Sequence, residues 1–138
     1  MSAPDCIFCR MVAKDIPTLS IYEDDQTLAF LDIHPRATGH VMVIPKTHVA
    51  VLADLPEAEI EPLFSSVKKV ALKIREVLKP DGATIGMNQG EASGQVVPHL
   101  HIHILPRWKD DRGGSIQSLV DNPPKEELSV IKEKLKIN

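Results

Sequence analysis

The chain has 138 residues, with 43% hydrophobic and 25% charged side chains and a net charge of −3. This balance predicts one soluble domain with one core, gives no basic footprint for nucleic acid, and leaves no apolar run long enough to span a bilayer. Residues 1–10 carry Asp5 early and no apolar stretch of signal-peptide type, so we expect a cytoplasmic protein with neither a membrane nor a nucleic-acid partner.

Residues 6–14 read as a short helix, stopped near Ile16-Pro17 because the residue before proline is pushed out of the helical region. This segment holds Cys6 and Cys9. In a reducing compartment a structural disulfide is not expected. The pair is then half of a metal site, a redox couple, or two thiols packed as small hydrophobes. A redox motif would need a strand before it, and only five residues precede Cys6.

Leu19 to Glu23 and Thr27 to Leu31 read as a hairpin turned by Asp24-Asp25-Gln26. Asp32 to Gly39 reads as a loop. His40 to Ile44 is apolar enough for a central strand, ended by Pro45. Ile60, Leu63, Phe64, Val67, Val70, Ala71, Ile74, Val77 and Leu78 then recur on one helical face. Pro62 cannot sit deep in a helix, so the start is placed near Glu61, after a short turn at residues 56–59. Lys79-Pro80-Asp81-Gly82 stops that helix. Ala83 to Asn88 reads as a strand, Gln89 to Gln95 as a polar loop, and His99 to Leu105 as an alternating strand. Lys109 to Gly114 reads as mobile. After Pro123-Pro124 a last helix carries Leu128, Ile131 and Leu135 on one face. The class is α+β with a mainly antiparallel sheet.

The alternation puts His99, His101 and His103 on one face and Leu100, Ile102 and Ile104 on the other. The aliphatic face can pack on the long helix. Three imidazoles in a row are costly in a core, since each buried ring needs partners. They could ligate one metal, but residues two apart stand about 7 Å apart along a strand, too far for all three to converge. The alternative is nucleophilic catalysis, because neutral imidazole can attack phosphorus. Gly94 before the strand can present backbone N–H groups to an anion, and Asn88 can offer an amide.

His99-Leu100-His101-Ile102-His103-Ile104-Leu105 resembles the histidine triad (HIT) signature. Phe30-Leu31-Asp32-Ile33, Gly39 to Lys46, and Asn88-Gln89-Gly90 through Gly94-Gln95 resemble blocks of that family in family order. The resemblance implies a single domain over residues 1–138, with a core of about 5–108 and a tail of 109–138. It implies a five-stranded antiparallel sheet with one long helix and a short N-terminal helix, in a homodimer. The implied activity is hydrolysis or transfer at the α-phosphate of a purine nucleoside phosphoramidate or dinucleoside polyphosphate, through a nucleotidyl-histidine. His101 would be the nucleophile, with His103, His99 and His40 in the catalytic set. Asn88, the Gln95 side chain and the Val96 backbone would contact phosphate, and Asp32 the ribose. Phe8, Met11, Phe30, Leu31 and Ile33 would wall the base pocket. His34 matches no family site and reads as loop surface. The same resemblance makes Cys6, Cys9, His48 and His99 ligands of a structural zinc ion. Pro106-Arg107 resembles the Fhit branch and Asn88 the Hint branch, and Arg107 could face a polyphosphate. Two readings compete with this one: a nucleotide-binding scaffold dimer, and a metallohydrolase with catalytic zinc at His99 and His101.

Overall fold

The computed structural model describes residues 3–137. Helix α1 (Ile7–Val12) leads to strands β1 (Ser20–Glu23), β2 (Thr27–Leu31) and β3 (Val41–Pro45). Helix α2 (Glu57–Leu78), strand β4 (Gly82–Gly86), strand β5 (Ile102–Arg107) and helix α3 (Leu128–Leu135) follow. The strands form one open sheet in the order β1-β2-β3-β5-β4, and every pair is antiparallel. No helix among the described residues is long and apolar enough to cross a membrane.

Strand alternation divides the buried residues into two layers. Ala29, Val41, Val43, Ile102 and Ile104 pack with Leu63, Val67, Val70 and Ile74 of α2, so the aliphatic face of the histidine segment lies on the long helix as expected. Leu28, Phe30 and Ile44 point to the other side, where Phe8, Cys6 and Cys9 cover them. The short α1 is thus held by burial rather than by its own propensity, which one and a half turns could not supply.

Two expectations need correction. Helix α2 begins at Glu57, one turn before the expected start, and contains Pro62. In this position proline forfeits only the bond to the carbonyl of Ala58, an exposed residue whose oxygen solvent can reach. Glu57 and Glu59 favour the early start, since carboxylates suit the positive end of the helix dipole. The second correction concerns the histidines. Strand β5 starts at Ile102, so of the three only His103 lies in it. Residues 97–99 bend, and the Leu100 N–H donates to the Val49 carbonyl rather than to the sheet.

Gly39 takes φ +82°, and a Cβ there would collide with the Leu78 side chain at the end of α2. Only glycine lets the loop after β2 pass so close to the helix. The β1–β2 hairpin is fastened to α2 through Asp24. Its Oδ1 accepts from the Gln26 and Thr27 N–H groups and the Thr27 hydroxyl, and its Oδ2 accepts from Tyr22 and Ser66. Burial alone would raise this carboxyl, but the hydrogen bonds outweigh it and lower the pKa to about 2. A depressed carboxyl stabilises the fold above its unfolded value, and that contribution disappears as pH falls through the folded value. Asp24→Asn should cost roughly 2 kcal/mol in urea unfolding at pH 7. The difference from wild type should shrink between about pH 4 and pH 2.

Candidate active site

The candidate chemistry gathers at the end of β3 and the start of β5, on the face that α1 covers. His99 is fully buried, and its Nε2 donates to the Pro45 carbonyl at 2.8 Å. A carbonyl only accepts, so Nε2 holds the proton and Nδ1 keeps a lone pair. That Nδ1 lies 3.4 Å from Cys6 Sγ, 3.6 Å from Cys9 Sγ and 3.2 Å from His48 Nδ1. Cys9 Sγ is 3.3 Å from His48 Nδ1. The four donor atoms lie within 4.8 Å of one another and could hold a metal ion. Burial pushes the His99 pKa down to about 4, with the neighbouring His48 and His101 adding to the fall. The ring is therefore neutral at pH 7, as a ligand must be.

His101 is buried, and its Nδ1 donates to the backbone carbonyl of His99 at 2.7 Å. Its other nitrogen, Nε2, is left with a lone pair, the form a nucleophile needs. The edge of Phe8 packs on this ring, with centroids 5.2 Å apart. Among the described residues two groups could hold a metal ion, the thiol cluster and the set Asp32, His40 and His103, and His101 joins neither. Pairing of His101 with His99 around a catalytic ion gains no support from this geometry.

A second chain of bonds sets the third ring. The Arg36 N–H donates to His40 Nδ1 at 3.1 Å, so the His40 proton sits on Nε2. That Nε2 donates to His103 Nδ1 at 2.9 Å and has the Asp32 carboxylate at 3.5 Å. His103 is then left with an Nε2–H donor. Burial lowers the His103 pKa to about 4, helped by His101 and His40 and opposed by Asp32. Burial also lowers that of His40, against the pull of Asp32. His101 and His103 stand edge to face, 5.0 Å between centroids, so adjacent rings offer one acceptor and one donor.

These two rings open into a cavity of about 410 Å3 lined on one side by Phe8, Met11, Phe30, Leu31, Asp32 and Ile33. Asn88, Gly94 and Val96 line it beside the histidines. Most of the residues expected from sequence therefore converge. Two of the expected catalytic histidines do not line the cavity: His99 belongs to the thiol cluster, and His40 acts on the cavity through His103. Gln95 also turns away. Its Oε1 accepts from the Gly90 N–H, and its Nε2 donates to the Ala50 and Val97 carbonyls, so the side chain fastens the loop instead of facing a ligand. His34, expected as plain loop surface, lines the cavity, as do Ile7, Met42 and Val97. These last carried no sequence signal, since nothing in their spacing separates wall from core.

The fold and site define a small antiparallel α+β protein with a row of imidazoles at the mouth of an apolar pocket. Residues 13–110 match the HIT domain family. The chain is 43% identical over 115 residues to Protein hit of Bacillus subtilis, covering 83% of this chain and 79% of that one. It is 37% identical over 107 residues to Arabidopsis thaliana adenylylsulfatase HINT3, covering 78% of this chain and 54% of that one. A zinc-bound histidine triad family protein of Mycobacterium smegmatis superposes with a TM-score of 0.73 at 40% identity, over 78% of each chain. The chain belongs to the HIT family.

The hydrogen-bond chain predicts the tautomers. Long-range proton–nitrogen NMR at pH 7 should show a proton on Nδ1 of His101, where it bonds the His99 carbonyl, and a neutral His103 with its proton on Nε2. On acidification His103 should hold its neutral pattern until pH nears about 4. His40→Ala should convert His103 to a tautomer mixture.

Proposed function

We propose that this protein is a nucleotide hydrolase or transferase acting at the α-phosphate of a purine nucleoside phosphoramidate or dinucleoside polyphosphate. The observation that carries the reading is the His101 Nδ1 bond to the His99 carbonyl, which in the neutral ring puts the lone pair on Nε2 at the mouth of an apolar pocket. The base would lie against Phe8 and Phe30, whose rings are 5.4 Å apart, with the ribose hydroxyls at the Asp32 carboxylate. The α-phosphate would then meet His101 and His103, with Asn88 and the Val96 backbone beside it. His101 Nε2 attacks phosphorus, the bond to the leaving group breaks, and an amine departs with a proton from the histidine chain or solvent. The His103 Nε2–H stabilises the phosphoryl oxygens as charge develops. Water then hydrolyses the nucleotidyl-histidine. The activity named for the HINT3 relative, an adenylylsulfatase, is of the same chemical kind.

The metal at the cysteine cluster is proposed to be zinc. With about 2.3 Å to sulfur and about 2.0–2.1 Å to nitrogen, a tetrahedral zinc sets nitrogen–sulfur edges near ~3.6 Å and a nitrogen–nitrogen edge near ~3.3 Å. The separations of 3.3, 3.4 and 3.6 Å and of 3.2 Å fit that figure. All four ligands come from the protein, so bound zinc would supply a structural clamp between α1 and the histidine segment. We further propose a homodimer. Strand β4 is a sheet edge, and an apolar groove of about 700 Å3 beside it is lined by Phe64, Leu72 and Ile85. A cytoplasmic location is consistent with two free thiols.

His101→Ala should lower turnover of an adenosine phosphoramidate by at least about 10³ while retaining adenosine monophosphate binding. Binding without turnover in the wild type would instead favour a scaffold role. Elemental analysis should find one zinc per chain, and Cys6→Ser should lose it and lower the melting temperature by several degrees. Ile85→Lys should convert the dimer to monomer in sedimentation.

A further inference from the structure

The face of β5 that carries His103 continues through Leu105 to Arg107, because alternate residues share a face. Beyond His103 a second concavity of about 490 Å3 opens, walled by Thr84, Leu105, Arg107 and the Asp111–Gly114 turn. Arg36 and Arg112 also line it. Leu105 stands two residues from His103, about 7 Å along the strand.

Arg107 is the conspicuous cation here, but it is already engaged. Its Nε donates to Asp111 Oδ2 at 2.6 Å and its Nη2 to Asp111 Oδ1 at 3.2 Å. Its Nη1 donates to Thr84 Oγ1 at 3.0 Å and the Gly114 carbonyl at 2.7 Å. Asp111 also accepts from the Trp108 and Gly113 N–H groups. A Cβ at Gly113 would collide with the Arg107 guanidinium, so the turn is wrapped on this pair. The segment 109–114 is therefore a fastened turn rather than the mobile stretch its composition suggests, and Arg107 is a wall.

Arg36 and Arg112 are different. Both are exposed, and among the described residues neither enters an ion pair. Arg112 takes φ +56° on the turn that Asp111 shapes, which fixes where its side chain leaves the backbone. Arg36 belongs to the loop whose N–H holds His40, and its positive charge reaches that ring. One guanidinium thus stands on the loop beside the histidines and the other on the far turn, with the groove between them.

We propose that this groove is a subsite for an anionic leaving group, a chain of phosphates beyond the α-phosphate, gripped by Arg36 and Arg112. The proposal rests on the reading that His101 cleaves at the α-phosphate. The bond from His101 Nε2 to phosphorus forms as the bridging phosphorus–oxygen bond breaks. The electron pair leaves on the departing phosphate oxygen, which as an anion needs no proton. Two guanidiniums neutralise that growing charge, and Arg suits phosphate because its planar fork can give two bonds at once. An uncharged amine leaving group makes no use of them.

Two measurements test this. In active enzyme, kcat/KM is compared for a diadenosine triphosphate and an adenosine phosphoramidate with an uncharged amine. Arg36→Ala and Arg112→Ala should each lower the triphosphate-to-phosphoramidate ratio about tenfold or more, the effect of one charge-assisted hydrogen bond, and Arg112→Lys should restore part of it. In the His101→Ala background, calorimetry should show the triphosphate binding at least about tenfold tighter than adenosine monophosphate, an advantage both arginine variants remove. An unchanged ratio together with equal binding of the two nucleotides overturns the subsite and leaves the histidine mechanism standing. Tighter, arginine-dependent triphosphate binding with no turnover in the wild type overturns the mechanism and leaves the subsite standing.

Discussion

The ladder between β3 and β5 runs out at Val43 and Ile102, yet the chain ahead of Ile102 stays in place because the His99 imidazole bonds the Pro45 carbonyl. A buried carbonyl left bare there would cost about 1–3 kcal/mol, so a side chain completes what the backbone no longer can. The thiol cluster hangs on that bond. It selects the His99 tautomer, turns Nδ1 toward two thiols and a second imidazole, and ties α1 to the sheet. Through its own backbone carbonyl, His99 also selects the tautomer of His101. One residue therefore links the fastening of the N-terminal segment to the protonation pattern of the ring beside the pocket.

The electrostatics follow from packing several imidazoles together, with His40, His99 and His101 buried. Burial makes His99, His103 and His40 harder to protonate, with His48 and His101 adding to the effect on His99, and His101 and His40 to that on His103. Asp32 pulls the other way but stands 3.5 Å from His40, too far for a short ion pair. Neutral rings at His40 and His103 can keep distinct donors and acceptors, whereas charged rings would all be donors. The alternation of roles from Arg36 N–H to the His103 Nε2–H depends on that neutrality.

Much of the architecture was legible because it rests on local pattern. The hairpin around Asp24, the apolar stripe of α2 and the aliphatic face of Leu100, Ile102 and Ile104 all follow from period and turn chemistry. Helix α2 starts one turn early since a proline near a helix start loses a single bond, a cost that pattern alone does not price. The histidines were legible as a group but not in their geometry. Strict alternation suggested one continuous strand, while the bend at residues 97–99 and the Val49 contact depend on a loop far away in sequence. Gln95 and His34 exchanged their expected places for the same reason. A polar side chain facing a loop cannot be told by spacing from one facing a ligand.

The amino-acid sequence by itself determined the α+β class, the sidedness of the strands, the family, and the set of thiols and imidazoles available for chemistry. Those are properties of residue order, since period and composition act over a few neighbours. The tertiary structure alone decided which nitrogen of His99, His101, His40 and His103 carries its proton, and that Arg107 is bound to Asp111 while, among the described residues, Arg36 and Arg112 enter no ion pair. Those depend on partners such as Pro45, Arg36 and Thr84, which are distant in the chain and meet these side chains only when the sheet closes.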